Sequence, residues 1–128
     1  MDSKYEALFT PWKIGNVEIK NRIVMCPMGG TSLFGWFELG GCHFDKEAAK
    51  LFLERANNNV GLIIPGIAPL RDTFWGKWLW QNEKMFRDLK EFMDEIHKTG
   101  AKLFIQLTAG MGRSWAITEL VAPLHKNK

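Results

Sequence analysis

The chain has 128 residues, 46% hydrophobic and 24% charged, with a formal net charge of +3, which fits one globular domain spanning residues 1–128 and excludes a disordered chain. Lys and Arg are scattered rather than striped, against a nucleic-acid partner, and no apolar run approaches the ~18 residues a membrane helix needs. Met1 to Glu6 is too polar to open a signal peptide, and Cys26 and Cys42 lie too far apart for a C-x-x-C pair, so a reducing, cytoplasmic setting without a metal site is expected.

The first apolar segment, Leu8 to Met28, is interrupted at Pro11 and at Gly15-Asn16. Gly-Asn between two short apolar runs is turn chemistry, so Trp12-Lys13-Ile14 and Val17-Glu18-Ile19 are predicted as a hairpin. After Lys20-Asn21-Arg22, the continuous apolar run Ile23-Val24-Met25 predicts a strand buried on both faces, ending at Cys26-Pro27. Gly29 to Phe44 is a Gly-rich, aromatic loop. Asp45 is a good N-cap for a helix over Lys46 to Asn57, with Ala48, Leu51, Phe52 and Ala56 as its apolar face. Gly61-Leu62-Ile63-Ile64 predicts a second buried strand, ended by Pro65-Gly66. A loop from Ile67 to Gln81 carries Trp75, Trp78 and Trp80. From Asn82 to Thr99 the residues Met85, Phe86, Leu89, Phe92, Met93 and Ile96 follow the helical period, and Gly100 stops the helix. Lys102 to Leu107 is a third strand, running into the Gly-rich stretch Thr108 to Arg113. Strands alternating with helices imply an α/β fold with βαβ crossovers and a parallel sheet.

In parallel α/β folds, sites lie where loops leave the carboxyl ends of the strands. Three segments qualify: Cys26 to Gly30, Pro65 to Ala68, and Gln106 to Arg113. Each contains Gly, which lets a ligand approach the backbone, and Pro and Met add apolar contact. The Gln106 amide both donates and accepts, matching the pyrimidine edge of a flavin. The same glycines serve turns, and Gln106 can equally bond a neighbouring backbone group. Cys26 reads as a small buried residue rather than a nucleophile. His43, His97 and His125 show no ligand spacing, and His97 suits the end of its helix. The tryptophan cluster reads as packing or a pocket wall.

Leu8-Phe9-Thr10-Pro11, Ile14-Gly15 and Lys20-Asn21-Arg22-Ile23-Val24-Met25-Cys26-Pro27-Met28 together resemble the opening of the Old Yellow Enzyme family. Gly61 to Ile64 and Lys102 to Leu107 fall at the spacing of that family's second and third barrel strands. The resemblance covers residues 8 to 115, and its ending is similar to the enoate and dienoyl-CoA reductase branch. It implies a (β/α)8 TIM barrel holding FMN, reduced by NADH or NADPH, that passes hydride to an activated alkene. It also implies that Pro27, Met28, Gly29, Gly66 and Gln106 border the flavin, Gln106 at its pyrimidine ring. Gly29 stands where many members place a flavin-tuning Thr or Cys, so that tuning is missing here unless Thr31 substitutes. The loop after Leu107 lacks the family's His, and Arg113 sits one residue late.

A (β/α)8 barrel needs about 250 residues, so an incomplete barrel is expected: the hairpin and about three βα units. The family's substrate-anchoring His/Asn pair, proton-donating Tyr and phosphate-binding segments are not among these residues, and no catalytic residue is assigned. The functional expectation is the N-terminal fragment of an FMN-dependent NAD(P)H:flavin oxidoreductase or ene-reductase, inactive alone and marginally stable. It would meet flavin and a small-molecule alkene only with a complementary C-terminal portion, or else self-associate. The alternative is a non-catalytic βα module that binds a partner through its open sheet edges.

Overall fold

The computed structural model describes residues 3–28, 33–34, 43–69 and 82–108. Gly29, Thr31, Cys42, the tryptophans at 75, 78 and 80, and residues 109–128, Arg113 included, lie outside them.

A 3-10 helix, Ser3–Phe9, opens the described chain; nothing in the sequence pattern marks it. β1 (Trp12–Ile14) and β2 (Val17–Ile19) form the predicted antiparallel hairpin, with Trp12 opposite Ile19. Gly15 closes its turn at φ +56°, a conformation most side chains resist. β3 (Val24–Met25) then starts a parallel sheet, joined by β4 (Leu62–Ile63) and β6 (Lys102–Leu103) in the order β3-β4-β6. Between them run α1 (Lys46–Asn57) and α2 (Glu83–Lys98). Beyond β4 and β6 the chain pairs again, as β5 (Ile67–Pro69) alongside β7 (Gln106–Thr108), also parallel.

Both helices start where their caps dictate. Asp45 Oδ1 accepts from the N–H groups of Glu47 (2.9 Å) and Ala48 (3.0 Å), and Asn82 Oδ1 accepts from Met85 N–H at 3.1 Å; each satisfies donors that the first turn leaves unpaired. α2 stops at Gly100, whose φ of +76° turns its N–H back to the His97 carbonyl at 2.9 Å.

The core lies between the helices and the sheet: Phe52 and Ala56 of α1, Met85, Leu89, Phe92 and Ile96 of α2, and Ile63 of β4. Phe44 meets Phe92 with ring centroids 5.7 Å apart. Leu33 and Phe34, from the aromatic loop, are fully buried in this core. They are held by Asp45 N–H to the Leu33 carbonyl (3.0 Å) and His43 N–H to the Phe34 carbonyl (3.2 Å).

Six expectations need correction. α1 buries the predicted Phe52 and Ala56 together with Ala49, whereas Ala48, packed against the core, and Leu51 are only half-buried. Phe86 is 46% exposed although it keeps the helical period of α2. The strand expected over Lys102–Leu107 divides at Phe104-Ile105, and the loop expected from Ile67 begins as β5. The cause of both is the kink at Pro65-Gly66 (φ +46°), which ends β4 and offers the second half of the third strand a new partner. Within the sheet β3-β4-β6, β4 is buried throughout and β3 and β6 are half-buried, because among the described residues each of these two has a strand on one side only. Cys26 is exposed, not buried, since it lies past the last residue of β3.

The Lys20-Asn21-Arg22 triplet ties the amino ends of the strands together. Lys20 Nζ donates to the Thr99 carbonyl at 2.8 Å, at the C-terminus of α2. Burial lowers its pKa from 10.5, because desolvation disfavours the charged form. Asn21 is 2% exposed; its Nδ2 donates to the Asn59 carbonyl (2.6 Å) and its Oδ1 accepts from Ile23 N–H (3.0 Å). Trp12 Nε1 donates to the Asn21 carbonyl at 2.7 Å, and Arg22 Nε reaches Thr10 Oγ1 at 3.0 Å. Hairpin, helix ends and β3 are thereby locked to one another.

Candidate functional site

The carboxyl ends of the three parallel strands lie side by side. Ile64 N–H donates to the Met25 carbonyl at 3.0 Å, and Phe104 N–H donates to the Ile63 carbonyl at 2.9 Å. Past these bonds the chain leaves as Cys26-Pro27-Met28, as Ile64-Pro65-Gly66 and as Phe104-Ile105-Gln106. Backbone hydrogen bonding alone therefore brings three segments, far apart in sequence, to one edge.

Gly66 is buried behind a fully buried Pro65. The next residue, Ile67, is the register partner of Gln106, followed by Ala68 with Leu107 and Pro69 with Thr108. This pairing places Gly66 and Gln106 at adjoining positions. Pro27 is half-buried and Met28 is 51% exposed; both follow the Met25–Ile64 bond onto the same edge. Four of the five residues singled out from the sequence thus lie together, and Gly29 falls outside the described residues. Leu107, 55% exposed, lies in the predicted Gln106 to Arg113 segment, whereas Ile105, 42% exposed, lines a groove against α2 with Phe86 and Met93.

No Asp, Glu, Lys, Arg or His occurs in 26–28, 64–69 or 104–108. Among the described residues this edge is apolar, with the Gln106 amide as its strongest side-chain hydrogen-bonding group. Such a surface suits one face of a flat ring whose rim carries both acceptors and a ring N–H. Its one ionisable side chain among the described residues is the exposed Cys26 thiol, and it holds no cation for a phosphate. No group of three His, Cys, Asp or Glu side chains among the described residues could hold a metal ion, and no described helix is long and apolar enough to cross a membrane.

A family model for the NADH:flavin oxidoreductase / NADH oxidase family matches residues 7–123. A cinnamate reductase from Clostridium sporogenes is 35% identical over 120 residues, which are 88% of this chain and 17% of that protein. An NADPH dehydrogenase from Listeria welshimeri is 31% identical over 120 residues, 91% of this chain and 34% of that protein. This chain therefore spans about a third or less of the curated relatives it matches. Among solved structures, an Old Yellow Enzyme from Pichia sp. AKU4542 superposes with a TM-score of 0.59 at 24% identity, over 79% of this chain and 26% of that one. A 2-naphthoyl-CoA reductase complex gives the same TM-score at 26% identity, over 80% of this chain and 16% of the other.

Proposed function

The chain belongs to the NADH:flavin oxidoreductase / NADH oxidase family, and from that premise we propose that it is the N-terminal portion of an FMN-dependent ene-reductase. In this reading its strand-end edge forms one wall of the flavin ring's site. The observation that carries it is the β5–β7 register, which sets the buried, positive-φ Gly66 beside Gln106 on an uncharged edge shared with Pro27 and Met28.

The residues fit the ring and not the phosphate. Met28 and Leu107 supply exposed apolar surface, Gly66 supplies a positive-φ turn that most side chains resist, and the Gln106 amide can both donate to a ring carbonyl and accept from a ring N–H. Bound FMN would supply the redox chemistry, accepting hydride from NADH or NADPH and delivering it to the β-carbon of an activated alkene. The chain's own share is binding and orientation, since its described edge carries no carboxylate, imidazole, amine or phenol. Alone it would not turn over, and it would need a complementary portion bringing the phosphate anchor and proton donor. The cinnamate reductase match favours a conjugated, arene-bearing enoate as substrate class, and a cytoplasmic, reducing setting completes the reading.

The test is an FMN titration of the purified chain, followed by flavin fluorescence. Saturable binding that weakens on Gln106→Ala supports the reading. Binding unchanged by Gln106→Ala, or no binding by a monodisperse folded chain, removes the flavin wall from it.

A further inference from the structure

Another open groove, of about 800 Å³, runs between α1 and α2 and shares no residue with the strand-end edge. Each helix returns from the carboxyl end of one parallel strand to the amino end of the next, so the two run in the same direction. Phe44, Leu53 and Phe92 give the groove an apolar floor, and its walls carry opposite charges: Lys46 and Lys50 on α1, Glu91 and Glu95 on α2. The ring of Phe44, just before α1, meets Phe92, which brings the first turn of α1 level with the turn of α2 from Glu91 to Glu95. Lys46 to Lys50 and Glu91 to Glu95 each rise by about 6 Å, so the two charged pairs stand at matching heights. Lys46, Glu91 and Glu95 make no ion pair among the described residues. Lys50 has an exposed pair with Glu47 at 2.7 Å, of a kind that contributes little. Nearer the start of α2 the charges are already matched, Lys84 with Asp88 and Arg87 with Glu83.

We propose that this groove is an interface between two copies of the chain, related by a two-fold axis that runs along it. Such an axis exchanges the walls. Lys46 and Lys50 of one copy then face Glu91 and Glu95 of the other at the same height, and the second pair of walls repeats the arrangement. A two-fold axis across the groove would instead set lysines against lysines and glutamates against glutamates, so charge selects between the two. The apolar floors face each other between four helices, flanked by Lys and Glu as in the seam of a coiled coil, with the lysine stems covering apolar surface. An isologous contact needs a patch that complements itself, and opposite walls at matching heights meet that need. A partner of uniform charge would be drawn to one wall and repelled by the other. The inference is independent of the flavin reading.

The experiment follows the full chain, without FMN, by analytical ultracentrifugation from micromolar to near-millimolar concentration. A monomer–dimer equilibrium is expected, weakened about tenfold when ionic strength rises from about 0.05 to about 0.5 M. Lys46→Glu with Lys50→Glu makes both walls acidic, and Glu91→Lys with Glu95→Lys makes both basic. Each of these variants alone should dimerise about tenfold more weakly or worse. Mixed in equal amounts, they should form a heterodimer about as tight as the parent dimer, and all four substitutions in one chain should restore the homodimer. Circular dichroism checks that these exposed positions tolerate the change, and the salt series on the parent chain tests the proposal without any variant. A chain that stays monomeric overturns it. So does a dimer indifferent to salt and to both reversals, as self-association through an open sheet edge would be, or folded variants that associate no better mixed than alone.

Discussion

Gly61→Ala offers a test in which two physical effects predict opposite signs. Gly61 does not have a positive φ, so its backbone accepts alanine, and the loss of unfolded-state freedom alone would stabilise the chain by about 0.4–1 kcal/mol. The added Cβ, however, would collide with Asn21 Oδ1 and stand 3.0 Å from Asn21 Cγ and 3.1 Å from its backbone oxygen. Gly61 cannot step aside, because its N–H donates to the Ile23 carbonyl (3.0 Å) and its carbonyl accepts from Lys102 N–H (2.9 Å). The Asn21 side chain must rotate, giving up its bonds to Asn59 and Ile23 while 2% exposed. Crowding costs about 1–3 kcal/mol and an unsatisfied buried group about as much again. The net expectation is a loss of about 2–4 kcal/mol, or a urea midpoint lower by about 1–2 M at an ordinary m-value. Urea unfolding followed by circular dichroism measures it. In an Asn21→Ala background the same substitution meets no side chain and should cost less than about 1 kcal/mol. A raised midpoint, or equal costs in the two backgrounds, would refute the reasoning.

Gln106→Ala should weaken FMN binding about fivefold to tenfold, the worth of a net hydrogen bond or slightly more. It should leave the urea midpoint unchanged, since Gln106 is exposed; a shifted midpoint would mean that the amide holds the fold instead. Asp45→Ala removes the acceptor for two N–H groups of α1 and should cost about 1 kcal/mol, seen as earlier exchange of the Glu47 and Ala48 amides. Lys20 has a pKa lowered by burial, so near that value the folded chain binds fewer protons than the unfolded one. Its contribution to stability therefore rises as pH climbs through the window just below 10.5 and is absent well below it. Lys20→Met should flatten that rise in a pH series of urea midpoints; a steeper rise in the variant would contradict the desolvation argument.

The boundaries of α1 and α2 were legible because their signals are local. Asp45 and Asn82 announce the first turns, and the Gly100 stop needs only its own positive φ. Which of Ala48 and Ala49 lies deeper was not legible, because the two differ in neither size nor polarity. The β5–β7 pair was hidden for a different reason. Its partners lie 39 residues apart, and the pairing exists only because Pro65-Gly66 turns the chain away from the line of β4. The site follows the same division. The strand-end rule marked the segments that hold Pro27, Met28, Gly66 and Gln106, but the adjacency of Gly66 and Gln106 is a tertiary fact. The buried Leu33-Phe34 pair was hidden by the glycines around it, which made the whole segment read as loop.

The run from Lys20 to Met28 links the two ends of this sheet. Asn21, at one end, is buried and held by hydrogen bonds to Asn59 and Ile23. Met28, at the other, is half exposed on the apolar edge. Between them β3 has only two residues in register, Val24 with Leu62 and Met25 with Ile63, which is little to fix a strand that can otherwise slide. A slip by one residue would exchange the faces of every side chain along it, and would carry Pro27 and Met28 off the edge they share with Gly66 and Gln106. The polar clasp prevents that slip, because Asn21 fits only against the bare backbone of Gly61. The span from Asn21 to Pro27 is at most ~20 Å of extended chain, so fixing one end fixes where the other emerges. Two demands thus fall on one strand: hydrogen-bond geometry fixes its amino end, and the proposed flavin wall needs its carboxyl end to emerge beside Gly66 and Gln106.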